Sequence, residues 1–160
     1  MPKRPPKPEP AFTLRPGESI TFVLPVVPRT KKNSPRQVSR RAKTTGKLIT
    51  IPIPSEAYEK MEEQVVALVD QWQMRFPALP WPVPMHTLLL AQPLNCAAIF
   101  YRDADRGDAV GYYQGLADAL EAAGVVADDK WIKQWDGSRL AKDANRPRIE
   151  VTLTAVSDDT

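Results

Sequence analysis

The stretch that most constrains this chain runs from Arg102 to Ile132, RDADRGDAVGYYQGLADALEAAGVVADDKWI. Acids cluster at both of its ends: Asp103, Asp105 and Asp108 at the start, Asp128 and Asp129 at the finish. The residues between them predict one helix. Asp108 is placed to cap its N-terminus, because a carboxylate there accepts a bond from a backbone N–H that has no partner within the helix. Val110, Tyr113, Leu116, Ala117 and Leu120 recur at three- and four-residue steps and predict its apolar stripe. Gly124 supplies the left-handed residue with which helices commonly end. The two acidic groups therefore flank a helix, and they meet in space if a strand returns beside the entry loop. Carboxylates gathered without matching cations repel one another, and a hard divalent cation that prefers oxygen ligands neutralises them.

The charge distribution adds a second constraint. Residues 1–50 carry twelve Lys or Arg against two acids, whereas residues 51–160 carry ten against seventeen, so a net +3 conceals a basic third joined to an acidic remainder. Such asymmetry points to a polyanion-binding arm on a metal-binding body. The arm is most concentrated in residues 29–47, RTKKNSPRQVSRRAKTTGK, with eight basic residues and no acid. We read it as a mobile basic loop in which Lys31, Lys32, Arg36, Arg40, Arg41 and Lys43 neutralise DNA phosphates. It contains no aromatic residue, so phosphate and shape recognition fit it better than stacking on single strands.

Around these two stretches the chain predicts one domain, residues 17–156, between a disordered Pro- and Lys-rich tail over 1–16 and a short tail over 157–160. Strands are predicted at 18–24, 48–53, 94–102, 130–135 and 148–156, and residues 88–91 could extend into another. Ser55 caps a strongly amphipathic helix, SEAYEKMEEQVVALVDQWQMRF, with Tyr58, Met61, Val65, Leu68, Val69, Trp72 and Phe76 on one face. The expected class is α+β: a mixed sheet of about five strands with two long helices packed on one of its faces. The single cysteine, Cys96, rules out an internal disulfide and reads as a core residue. No apolar run is long enough to span a membrane, and no signal peptide is visible, so a cytoplasmic location is expected. His86, the one histidine, is a candidate acid or base that lacks an evident partner in the sequence.

Hydrolysis of a phosphodiester requires a positioned water and neutralised charge on the phosphoryl oxygens, and carboxylate-held divalent ions supply both. Asp105, Asp108 and Asp129, with Asp128 beside them, are of the right type for Mg2+ or Mn2+. The structural alternative is that Asp108 is only a cap, Asp103 and Asp105 are solvated, and Asp128-Asp129 opens a turn.

The order of these features resembles the RusA family of Holliday-junction resolvases over roughly residues 18–156. LPVVPRTKKNS and SEAYEKMEEQV look like that family's opening strand, loop and first helix. GDAVGYYQGLADALEAAGVVADDKWI is similar to its GDxDNxxKxxxDALxxAGxxxDDxxI pattern, in register through DAL, AG and DD. The resemblance implies a homodimeric, Mg2+-dependent endonuclease that resolves branched DNA in phage or prophage recombination. On that register Asp108 and Asp129 match metal-binding positions, and Asp118 is matched inside the helix as a supporting partner. The family's second Asp falls on Val110, its Asn on Gly111 and its Lys on Gln114. Asp105, or Asp103, would then have to replace the missing carboxylate, and Lys130 or Lys133 the missing cation. The alternative implied by these departures is a branched-DNA-binding protein of the same fold that does not cut.

Overall fold

The computed structural model describes residues 12–31, 36–41, 46–53 and 55–157, and for 36–41 and 48–53 the backbone alone. Among these residues the chain forms β1 (Ser19–Leu24), β2 (Arg36–Arg41), β3 (Leu48–Ile53), α1 (Glu56–Gln71), β4 (Gln73–Met74), β5 (Val83–Pro84), β6 (Leu94–Arg102), α2 (Ala109–Ala122), β7 (Ile132–Gln134), β8 (Arg139–Lys142) and β9 (Arg148–Ala155). The main sheet has five strands in the order β1-β9-β6, with β7 and β8 both on the far edge of β6. The β1–β9 and β9–β6 pairs are antiparallel, and β7 and β8 run parallel to β6. It is a mixed sheet with two long helices, the expected α+β class.

Alternation places the sheet's apolar residues on one face. Ile20, Phe22 and Leu24 of β1 join Leu94, Cys96, Ala98 and Phe100 of β6 and Ile149, Val151 and Leu153 of β9 in one buried core, which also takes Tyr58, Met61, Val65 and Val69 of α1 and Leu116 and Leu120 of α2. The opposite face carries paired hydroxyls, Ser19 with Thr154 at 2.8 Å and Thr21 with Thr152 at 3.1 Å. Burial pushes the Cys96 thiol up to about 12, which fits its place in the core.

Several expectations are corrected. The Pro-rich tail ends earlier than residue 17: Leu14 is fully buried, Phe12 stacks on Phe76 at 3.9 Å, and Gln92 bonds both the N–H and the carbonyl of Leu14 at 2.8 Å. Two apolar residues and a side-chain clamp override the local Pro and Lys composition. The first helix stops at Gln71, because Trp72 turns extended, yet Trp72 and Phe76 still pack on the core. The basic stretch 29–47 is not one loop, since β2 pairs antiparallel with β3 from Arg36–Ile53 to Arg41–Leu48. The basic and polar segment after the Asp136-Gly137 turn contains β8, which pairs with the end of β6 from Ile99–Arg139 to Arg102–Lys142. The segment 130–135 is a strand only over Ile132–Gln134, with a 3-10 turn at Asp129–Trp131 before it. Residues 88–91 contribute a single bridge, Leu90 to Val126. Among the described residues no helix is long and apolar enough to cross a membrane.

The buried face of α2 includes Leu116, Ala117 and Leu120 as expected, with Tyr113 packed against the core, but Val110 is 66% exposed and the face is wider, taking in Gly111, Tyr112, Gly115 and Ala119. The glycines explain the widening. A Cβ at Gly115 would stand 3.1 Å from the Tyr58 ring and 3.2 Å from the Arg29 carbonyl, so α2 presses its smallest face onto α1 and the 29–30 backbone. The Tyr58 hydroxyl secures the contact by donating to the Gly115 carbonyl at 3.0 Å and to Glu62 at 2.8 Å.

Candidate metal centre and its surroundings

Helix α2 begins as expected: the Asp108 side chain accepts from the Gly111 N–H at 2.9 Å and caps the helix. It ends at Gly124, whose φ of +81° reverses the chain. The reversed segment is stitched to the 86–90 stretch by Leu89 N–H to Gly124 O at 2.9 Å, Leu90 N–H to Val125 O at 3.0 Å and Ala127 N–H to Leu90 O at 2.9 Å. This returns Asp128 and Asp129 alongside the helix that they follow. Asp128 caps the 3-10 turn by accepting from the Lys130 N–H at 3.0 Å.

Among the described residues one group of three His, Cys, Asp or Glu side chains has its ligand atoms within 4.8 Å of one another: Glu121, Asp128 and Asp129. Neighbouring ligands on an octahedral Mg2+ at ~2.1 Å stand about 3.0 Å apart, so the three carboxylates would have to draw inward to hold such an ion. The donor set, all carboxylate and lying at the surface, fits a hard divalent cation that keeps several waters. The Asp129 carboxyl is held above the ordinary carboxylate value, first by its hydrogen bond with Asp128, then by desolvation and the charges of Asp118 and Asp128, against a lowering contribution from Gln114. The Asp129 N–H also donates to Glu121 at 3.1 Å.

The other expected ligands lie elsewhere. Asp105 is 73% exposed and pairs with Arg102 at 3.3 Å, and Asp103 pairs with Arg29 at 3.5 Å. Arg102 also donates to the Arg106 carbonyl at 3.2 Å, which folds the 103–106 loop back on its own strand end. Asp108 puts one carboxylate oxygen, Oδ1, into the cap. Asp105 and Asp108 thus do not join Asp129 in a close carboxylate group. The premise of acids without matching cations fails at the entry loop, where the arginines that match them come from β6 and from the segment after β1.

Gln114, at the position of the family's Lys, is the residue that ties α2 to Asp129. Its amide nitrogen donates to Asp118 at 3.2 Å and to Asp129 at 3.3 Å. Asp118 in turn holds Lys31 at 2.6 Å, with the Lys31 ammonium over the Tyr58 ring at 5.4 Å. Lys31, expected on DNA phosphates, is therefore engaged beside the acidic group. Lys130 and Lys133 both lie over the Trp131 ring, at 5.3 and 6.0 Å. Arg36, Arg40 and Arg41 lie on β2, whereas Lys32 and Lys43 fall outside the described residues. His86 has Asp70 at 3.9 Å as its carboxylate neighbour, and its backbone packs on Gly124.

Glu121 is the member of this carboxylate group that sequence reasoning passed over. Its signal was present: Gln114, Asp118 and Glu121 stand at i, i+4 and i+7 and share one helix face. No family model matches the chain, and no curated protein matches it.

Proposed function

We propose that the chain is a divalent-metal-dependent endonuclease of the RusA type that acts on branched DNA. The observation that carries this reading is the convergence of Glu121, Asp128 and Asp129 beside Gln114 and Asp118. These three carboxylates would hold Mg2+ or Mn2+, and an ion bound there neutralises phosphoryl charge and activates a water for attack on phosphorus. The protein's own part is to fix Asp129, through Gln114 and the Glu121–Asp129 N–H bond, on the helix that returns from the entry loop. The basic segment 29–47 supplies phosphate contacts that are independent of base sequence. Two equivalent cuts across a four-way junction require two sites, so the expected assembly is a symmetric dimer.

A second reading, junction binding without cutting, is favoured by specific observations. Val110 and Gln114 replace the family's Asp and Lys, and Asp105 and Asp108 are engaged away from Asp129. A labelled four-way junction, incubated with Mg2+ or Mn2+, separates the two. The nuclease reading expects paired nicks in the wild type that disappear in Asp129→Asn and Glu121→Gln while junction binding persists. Tight binding without nicks under either metal would move the assignment to the second reading. Absence of junction binding would end both.

A further inference from the structure

A cavity of about 240 Å³ opens beside the acidic group, between α2 and the β7 edge. Tyr113 and Trp135 both line it and stack on each other at 4.8 Å with their planes 9° apart, and Tyr113 also meets Phe100 at 5.7 Å, which leaves the outer face of Trp135 to extend the stack. Val110 stands at the cavity with two thirds of its surface open to solvent. Gln114 and Asp129 supply the polar end. The cavity therefore combines a preformed aromatic wall, an apolar rim and two side chains that can bond the edge of a planar ring. The Gln114 amide nitrogen already serves Asp118 and Asp129, and its carbonyl oxygen is the acceptor that this lining residue can offer a ligand.

We propose that this cavity receives one unstacked nucleobase of the DNA, so that the protein reads the branch point by the presence of a base as well as by its phosphates. The inference rests on the DNA-acting reading above and names the part of the substrate that this face takes. Every base has a π-face that can extend an aromatic stack, and at least one edge N–H that an amide oxygen or a carboxylate can accept. A duplex resists giving up a base, but a branch point already has weakly stacked bases, so the cost of extrusion is least there. Val110 acquires a role in this arrangement. An aspartate at that position would put another charge at an apolar rim, whereas valine leaves the rim uncharged.

The test is junction binding in EDTA, where cutting does not interfere. One four-way junction is intact and one carries abasic nucleotides at the branch-point positions. Loss of base–aromatic stacking is expected to weaken binding of the abasic junction by roughly five- to a hundred-fold in the wild type. Val110→Phe, an exposed change that the fold tolerates, closes the cavity mouth and is expected to bind both junctions equally. Trp135→Ala is expected to do the same by removing the wall. Equal binding of the two junctions by the wild type would overturn the proposal and leave the DNA-binding reading standing. Failure to bind either junction would overturn both. Conversion of a dimer to a monomer by Val110→Phe, seen by sedimentation, would assign this face to a second copy of the chain and overturn the proposal as well.

Discussion

Replacing Gly124 by alanine tests how the acidic group is delivered. Gly124 has φ +81°, and a Cβ there would overlap the His86 carbonyl oxygen and stand 3.0 Å from its carbon. The left-handed backbone alone costs an alanine roughly 1–2 kcal/mol. Relief of the overlap requires the 124–125 backbone to move away from the 86–90 stretch. That motion lengthens the Leu89–Gly124 and Leu90–Val125 bonds, each worth about 1 kcal/mol. The expected total is about 3–4 kcal/mol. Gly17 provides the control, because it has φ +87° but nothing within 4 Å of a built Cβ, so Gly17→Ala should cost only the conformational part, roughly 1–2 kcal/mol. The difference of about 2 kcal/mol corresponds to a gap of about 4–8 °C in Tm for a domain of this size. Urea and thermal unfolding of both variants measure it. Two variants equal within about 0.5 kcal/mol, the usual scatter between independent sites, would refute the close approach at His86.

Three further outcomes follow from the same geometry. Tyr58→Phe removes the one hydroxyl proton that Glu62 and the Gly115 carbonyl share, and should cost about 0.5–1.5 kcal/mol in urea unfolding, because the carbonyl keeps its partner within α2. Lys31→Met should change stability by less than about 1 kcal/mol, as befits a partly exposed pair, yet raise Mn2+ affinity about two- to fivefold, because Asp118 and the Asp129 group lose a nearby cation. Titration calorimetry reads this, and an unchanged affinity would sever the Lys31–Asp118 pair from the acidic group. For Asp129 the sign is set by a folded pKa above the ordinary 3.8: its favourable contribution is full below that value and is lost as pH rises through the raised one. Asp129→Asn should therefore unfold at higher urea than wild type at pH 7 in EDTA. The advantage should fade toward pH 3.8, and a constant offset across that range would contradict the raised carboxyl.

Much of the fold was legible because its signals are local or periodic. The alternation in β9 and β1, the run Leu94–Arg102, the Ser55 and Asp108 caps and the Gly124 terminus each state their structure within a few residues. The failures share a different origin. Strands β2 and β8 are polar and owe their existence to a neighbour, β3 for one and the exposed edge of β6 for the other. The buried face of α2 is wider than its large apolar residues suggest, because small size admits residues that hydrophobicity alone does not. Gly111 and Gly115 are buried for what they lack, since Tyr58, Thr30 and the Arg29 carbonyl occupy the space that side chains would take.

The acidic site divides in the same way. That Asp129 returns to the helix could be anticipated from the Asp–helix–Asp-Asp order, since a chain that reverses at Gly124 has to run back along α2. Which acids it meets there could not, because i+3 and i+4 spacing on α2 offers several candidates and the partners of each lie far away in sequence. Asp118 is claimed by Lys31 from the segment after β1, and Asp103 by Arg29 two residues earlier. The basic stretch was read as an arm for phosphates alone, but its first residues serve as counterions for the acidic body. That pairs Asp103 and Asp118 with cations of the N-terminal segment and leaves Glu121, Asp128 and Asp129 as the carboxylate group that could hold a metal ion. A lysine at position 114 would bring a second ammonium to an Asp118 that Lys31 already neutralises. Glutamine keeps the hydrogen bonds to Asp118 and Asp129 without adding that charge. Lys31 and Gln114 are therefore one unit, and Gln114→Lys should be tolerated better in a Lys31→Met background than in the wild type.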